Sequence, residues 1–151
     1  RLGKHKEALK NVNIALALRP SYADAMGVKA TALLGLKKPL EALQSLEKAR
    51  ELNPNFSIEY FSIEVIAHLM MKEWSKAKEI ATLALRRLPE HEPSLVMVIM
   101  ADVALGNMED ALWNLEELLI LNPDFKFQTW QFGDFEFLSE IALQTAKKIY
   151  E

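Results

Sequence analysis

Residues 39–54 read PLEALQSLEKARELNP, and three other stretches carry the same punctuation: HKEALKNVNIALALRP at 5–20, WSKAKEIATLALRRLP at 74–89 and MEDALWNLEELLILNP at 108–123. Aligned, they place Ala8, Ala42, Ala77 and Ala111 in one column, Ala15, Ala49, Ala84 and Leu118 in a second, and Pro20, Pro54, Pro89 and Pro123 in a third. The prolines fall 34, 35 and 34 residues apart in a chain with only 6 prolines, so one supersecondary unit is being repeated.

Each period divides into two helices. Pro39 suits the first turn of the stretch quoted above, because its missing N–H would be unpaired there in any case. That helix stops before Asn53-Pro54. Upstream of it, Ser21 with Asp24 three residues on predicts a helix start, and Gly35 lies near the predicted end. Ser57 opens the third unit and Lys72-Glu73 separates its helices; Pro93 opens the fourth and Gly106-Asn107 divides it. No period-2 alternation competes with this reading. The small residues mark close backbone approach, since Ala42 and Ala49 lie two turns apart on one helix face. Each hairpin then leaves an apolar face that only the next can cover, which makes stacking obligatory.

The period, together with Leu2-Gly3, Ala8, Ala15 and Pro20, their counterparts, and Gly106, resembles the tetratricopeptide repeat family over residues 1–125. The resemblance implies an all-α fold, a right-handed superhelical solenoid of about three and a half hairpins plus a C-terminal capping helix. Residues 1–20 would be the second helix of a truncated repeat, 21–54, 55–89 and 90–123 full repeats, and 124–151 an aromatic segment with the cap. Opening on Arg1 within an incomplete repeat, the sequence reads as a piece of a longer protein. It departs from the family's pattern where Met26, Phe61 and Leu95 stand in place of the usual Trp, where Leu118 replaces a small residue, and in the extra residue of the third period.

The resemblance also implies that the first helix of each hairpin lines a concave groove. Their composition is unusual in its own right: 58–71 carries only Glu59 and Glu64 as acidic residues, and 95–105 only Asp102. At about 100° per residue, Phe61, Val65 and His68 share one face while Ile63, Ile66 and Met70 lie roughly opposite. Leu95, Ile99 and Asp102 repeat the first set; Met97, Met100 and Ala104 repeat the second. Two apolar faces need two apolar neighbours. One is the solenoid core. The other is a partner laid in the groove, for which the candidate residues are Thr31, Leu34, Ile63, Ile66, Met70, Met97 and Met100, or else neighbouring helices or the chain's own C-terminus. Methionine suits a surface that accepts more than one apolar shape. A family use as a clamp for a chaperone's C-terminal carboxylate is not expected, because no groove position among Asp24, Gly27, Val28, Thr31, Glu59, Ser62, Ile63, Ile66, Met97 and Met100 is basic.

After Pro123 the pattern changes to DFKFQTWQFG (124–133), dense in aromatic residues and without helical period, before a final helix after Asp134 that reaches about Tyr150. Phe127, Trp130 and Phe132 are candidates for covering the last hairpin, as terminal repeats require, or for an aromatic hot spot that binds a peptide or a second copy. This tail has a weaker resemblance to repeat modules of bacterial signalling and transcription regulators.

Composition narrows the rest. A net charge of −3 with no basic stripe supplies no footprint for nucleic acid. The apolar run at 95–105 is far shorter than the roughly 20 residues that cross a bilayer, so no membrane partner is expected. The absence of cysteine excludes disulfides and thiolate sites without naming a compartment; the cytoplasm is slightly favoured. His5 and His91 read as solvated turn residues, and no spacing suggests a metal or a cofactor. His68 and Asp102, 34 residues apart, occupy equivalent core-facing positions and are expected as a buried hydrogen-bonded pair, with an acid/base pair the remote alternative. The sequence therefore points to a non-enzymatic scaffold that binds a protein or peptide, with homo-oligomerisation or a regulatory role in a larger protein as the alternative.

Overall fold

The computed structural model describes residues 2–151. Among them the chain forms α1 (Leu2–Leu18), α2 (Ala23–Gly35), α3 (Pro39–Leu52), α4 (Ile58–Met70), α5 (Trp74–Arg87), α6 (Glu92–Leu105), α7 (Met108–Leu121), a single 3-10 turn (Phe127–Thr129) and α8 (Glu136–Tyr150), with no strand.

One turn is built three times. Lys37, Lys72 and Gly106 occupy the left-handed region at φ 61°, 58° and 81°. At each, the next residue's N–H returns to a carbonyl of the last helical turn: Lys38 to Leu33 (2.8 Å), Glu73 to His68 (2.9 Å) and Asn107 to Asp102 (2.8 Å). These closures satisfy carbonyls that a helix end otherwise leaves open, and they reverse the chain within three residues. Glycine adopts the required φ without steric cost; the two lysines do so under mild strain.

From each left-handed residue to the proline that ends the repeat is 17 residues (37 to 54, 72 to 89, 106 to 123). The extra residue of the third period therefore lies before Lys72. It falls in the link at 53–57, one residue longer than the links at 19–22 and 88–91. There the Asn55 N–H donates to Asn53 Oδ1 (3.1 Å), and Phe56 is buried.

Helix starts differ in one respect from the sequence reading. Ser57 Oγ accepts from the Glu59 N–H (3.2 Å) and caps α4, but α2 begins at Ala23 with Tyr22 before it and no side-chain cap. Ser21 stands one residue too early, and Asp24 turns instead to the Tyr60 hydroxyl. The small-residue columns are where backbones meet: Ala42, Ala49, Ala77, Ala84 and Ala111 are fully buried, as is Leu118, whose enclosure stabilises by about 2 kcal/mol.

Two compact units result, one through Ala67 and one from His68 to Glu151. In the first, α2 packs on both α1 and α3. In the second, α6 packs on α5 and α7, and α8 packs on α6 and on the 3-10 turn. The latter helix is the better enclosed: ten consecutive residues of α6, Ser94 to Val103, are buried.

Candidate partner-binding surfaces

In the first unit α2 and α4 meet through a glycine. The Tyr60 ring lies against Gly27, where a Cβ would collide with it, and the Tyr60 hydroxyl donates to Asp24 Oδ1 (3.2 Å). Burial, with the Asp24 carboxylate adding to it, raises the Tyr60 pKa above the ordinary 10.0. The α3–α4 contact is tied by Arg50, which pairs with Glu64 and lies over the Phe56 ring at 4.3 Å from its centroid. On this frame the candidate residues separate. Leu34 and Ile66 are fully buried, while Thr31 and Ile63 remain half-buried. Thr31 Oγ1 donates to the Gly27 carbonyl (3.1 Å). Val28, on the same stripe of α2 as Asp24 and Thr31, is 54% exposed.

In the second unit the open groove expected at Met97 and Met100 is absent, because both side chains are fully buried. Helix α8 lies on α6, and Ile141, Gln144, Thr145 and Lys148 of α8 share a cavity of about 140 Å³ with Trp74, Met100, Val103 and Ala104. The face of α6 at Met100 has its neighbour within the chain, and neither Met97 nor Met100 presents surface to a partner. Met70 is half-buried. Of the aromatic trio, Phe127 is 1% exposed and belongs to the core, edge-on to Phe125 at 4.9 Å. Trp130 and Phe132 stack on each other at 6.2 Å and keep partial exposure.

Two of the histidines, His5 and His68, differ from expectation, while His91 lies in the link before α6 as expected. His5 is in α1, not in a turn, and its ring fills the space that Gly35 leaves open. His91 precedes α6, with Nδ1 2.7 Å from Ser94 Oγ. His68 and Asp102 do not pair with each other. His68 Nδ1 faces Glu73 Oε1 at 2.9 Å, and Asp102 Oδ1 accepts from Lys78 Nζ at 2.7 Å. Lys78 donates to Asp110 Oδ2 as well, at 3.0 Å. The hydrogen bond to Asp102 is the chief reason that the Lys78 pKa rises above 10.5. No group of three or more metal-ligating side chains occurs among the described residues.

A solved tetratricopeptide-repeat domain, that of Arabidopsis OM64, superposes with a TM-score of 0.67 at 18% identity, over 85% of this chain and 93% of that one. The crystal structure of MamA superposes with a TM-score of 0.74, also at 18% identity, over 98% of this chain and 88% of that one. The chain has a tetratricopeptide-repeat fold. No protein-family model matches it. By sequence it is 28% identical over 122 residues to anaphase-promoting complex subunit 7 of Dictyostelium discoideum, covering 78% of this chain. The chain spans 20% of the length of that curated relative.

In tetratricopeptide terms, α2, α4 and α6 are first helices, and α1, α3, α5 and α7 second helices. The ion-pair cluster of Lys78, Asp102 and Asp110 thus joins second helices α5 and α7 through the first helix α6. Sequence reading missed it because Lys78 and Asp102 belong to different repeats. The signal that could have found it is a charged residue at a core-facing position of α6, which needs a cation from a packed neighbour.

Proposed function

We propose that this chain is a protein-protein interaction module that holds an apolar peptide or helical segment against the first helices of its N-terminal unit, at Val28, Thr31 and Ile63. The observation that carries this reading is Val28: a β-branched residue 54% exposed on a helix whose neighbouring residues Ala25, Met26 and Gly27 are buried. Apolar surface left open beside a packed frame is where a partner gains burial without first paying to order the site. The relative's name describes a subunit of a complex, which supports a role in assembly. Met70, on the second unit, is a separate apolar position open in part to solvent. No reaction is proposed, since His68 and Asp102 are each engaged by a different charged neighbour.

A photo-crosslinking amino acid at position 28 in the source cell is expected to trap one protein, and Ile63→Glu to reduce that adduct at least tenfold. The same yield from a crosslinker at exposed position 47 on α3, or no adduct at 28, overturns the reading. The alternative, self-association within a larger regulatory protein, is favoured by the stacked, partly open Trp130 and Phe132. Light scattering across concentration decides it, a strictly monomeric chain ruling it out.

A further inference from the structure

The four second helices share one sequence frame, so each residue on their outer surface has equivalents one repeat away. Trp113 of α7 falls in a column with Lys10, Gln44 and Glu79, and Ile120 in a column with Ala17, Glu51 and Arg86. These equivalents are all exposed, and all but Ala17 carry a charge or an amide. In α7 alone the two solvent positions hold large apolar side chains, Trp113 69% and Ile120 75% exposed. A single exposed apolar residue needs no explanation. Two of them, in columns that are small or polar in every other repeat, form a stripe: a separation of seven residues puts Ile120 within about 20° of Trp113 and about 10 Å along the helix axis.

The charges around this stripe set the chemistry of what covers it. Beside it, a cavity of about 320 Å³ between α5 and α7 is balanced within itself, with Asp102 and Asp110 against Lys78 and Arg86. Outside that cavity, Glu109, Glu116 and Glu117 lie within about 60° of Trp113 around the helix. All three are exposed, α7 contains no basic residue, and no ion pair engages any of them among the described residues. Helices α3 and α5 instead mix both signs on their outer surfaces, with Glu47, Lys48 and Glu51 on one and Lys76, Glu79 and Arg86 on the other. The one-sign rim opposes a second copy laid stripe on stripe. An antiparallel pair would bring Glu116 and Glu117 of both copies together at its centre, and a parallel pair would set each acid beside its own equivalent; like charges across a contact disfavour it. The same acids repel an anionic lipid surface. Their complement is a segment with two apolar residues and basic side chains around them.

We propose that the outer face of α7 is a second docking surface, independent of the Val28 face, and that it takes a basic amphipathic helix of a partner protein. Two apolar side chains of that helix, one heptad apart, cover Trp113 and Ile120, as residues along a two-helix seam do. Its lysines or arginines between and beside them meet Glu116 and Glu117 at the middle of the stripe and Glu109 at the N-terminal end of α7. Trp113 is the anchor, because an indole buries a large area with few rotatable bonds. The acids remain at the rim, where charge pairs add less to affinity than to the rate of encounter and the rejection of acidic partners.

The test uses the intact chain and a designed helical peptide of about 15 residues, with two leucines seven positions apart and lysines between and beside them. A second peptide carries glutamate at every lysine position. Binding is followed by the indole N–H resonance of Trp113 in a ¹⁵N-labelled sample, assigned by its loss in Trp113→Phe, with the indoles of Trp74 and Trp130 as internal controls. The basic peptide is expected to shift the Trp113 resonance alone and to bind at least tenfold tighter than the acidic one, with the difference shrinking as salt rises from about 0.05 to 0.5 M. Ile120→Glu, at an exposed position, should weaken the basic peptide at least tenfold without moving the thermal melt, whereas Val28→Glu should leave its affinity unchanged. The double variant Glu116→Lys, Glu117→Lys should invert the preference, so that the acidic peptide binds tighter. Equal affinity for the two peptides, an unmoved Trp113 resonance or an unchanged preference in the double variant overturns the proposal. So does a dimer seen by light scattering and lost in Trp113→Ala, which would mean that a second copy covers the stripe.

Discussion

Helices α2 and α6 hold the same place in the repeat, open after the same kind of link and close in the same left-handed turn, yet they end in opposite environments. Helix α2 leaves Val28 and Asp24 exposed and Thr31 half-buried, whereas α6 is buried without interruption from Ser94 to Val103. The difference is α8, which lies on α6 and has no counterpart on α2 in the first unit. A repeat thus specifies a helix with two faces to cover, but the position of that helix in the array decides whether the chain covers the second face itself.

The sharpest way to break this comparison is to place the same charge on both helices. Met100→Glu buries an unpaired carboxylate under α8 and is expected to cost about 4 kcal/mol or more, while Val28→Glu should stay within about 0.5 kcal/mol. Urea unfolding of the two variants checks it, and similar losses would mean that α6 is as open as α2.

A smaller contrast separates the ion pairs of the two units. In the second, Lys78→Met strips the buried Asp102 of its cation and should cost about 3 kcal/mol. In the first, Arg50 is 44% exposed, so Arg50→Met should cost only about 1 kcal/mol. The lysine carries a pH signature too. Its pKa is raised in the folded state by the Asp102 hydrogen bond, so its contribution is fully present below the ordinary 10.5 and is lost as pH climbs through the higher folded value. Thermal melts from pH 9 to 12 should show the parent approaching Lys78→Met at the alkaline end; parallel curves would sink the assignment.

The smallest effect concerns the shared turn, where the units should behave alike. Lys37→Gly and Lys72→Gly relieve a left-handed side chain and should each stabilise by about 0.5 kcal/mol, and Gly106→Lys should cost about 1 kcal/mol. Chemical denaturation of the three single variants measures it, and a loss on either lysine replacement would show that its side chain does more than tolerate the turn.

Much of this was legible because it is local or periodic. The alanine columns, Pro39 at the start of α3, the division at Lys72-Glu73 and the final helix near 135–150 follow from spacing and backbone chemistry alone. Other features were not legible for equally physical reasons. Ser21 failed as a cap because a one-residue shift of the helix start removes the geometry, and Asp24 found Tyr60 across the helix pair. His68 and Asp102 were matched as repeat equivalents, but equivalence places two residues on like faces without deciding which side chain lies between them. Each took a nearer partner instead, Glu73 for His68 and Lys78 for Asp102.

The sequence by itself determined the helical hairpins, their turns and the residues at which backbones meet, because helix periodicity and left-handed turn positions are written in consecutive residues. Only the tertiary structure decided that Met97 and Met100 are core and not groove, and that Asp102 borrows its cation from α5. It also decided that Trp113 stands open on the outer face of α7. These outcomes depend on which element lies over which face, and apolar burial and charge pairing act through space without regard to separation along the chain.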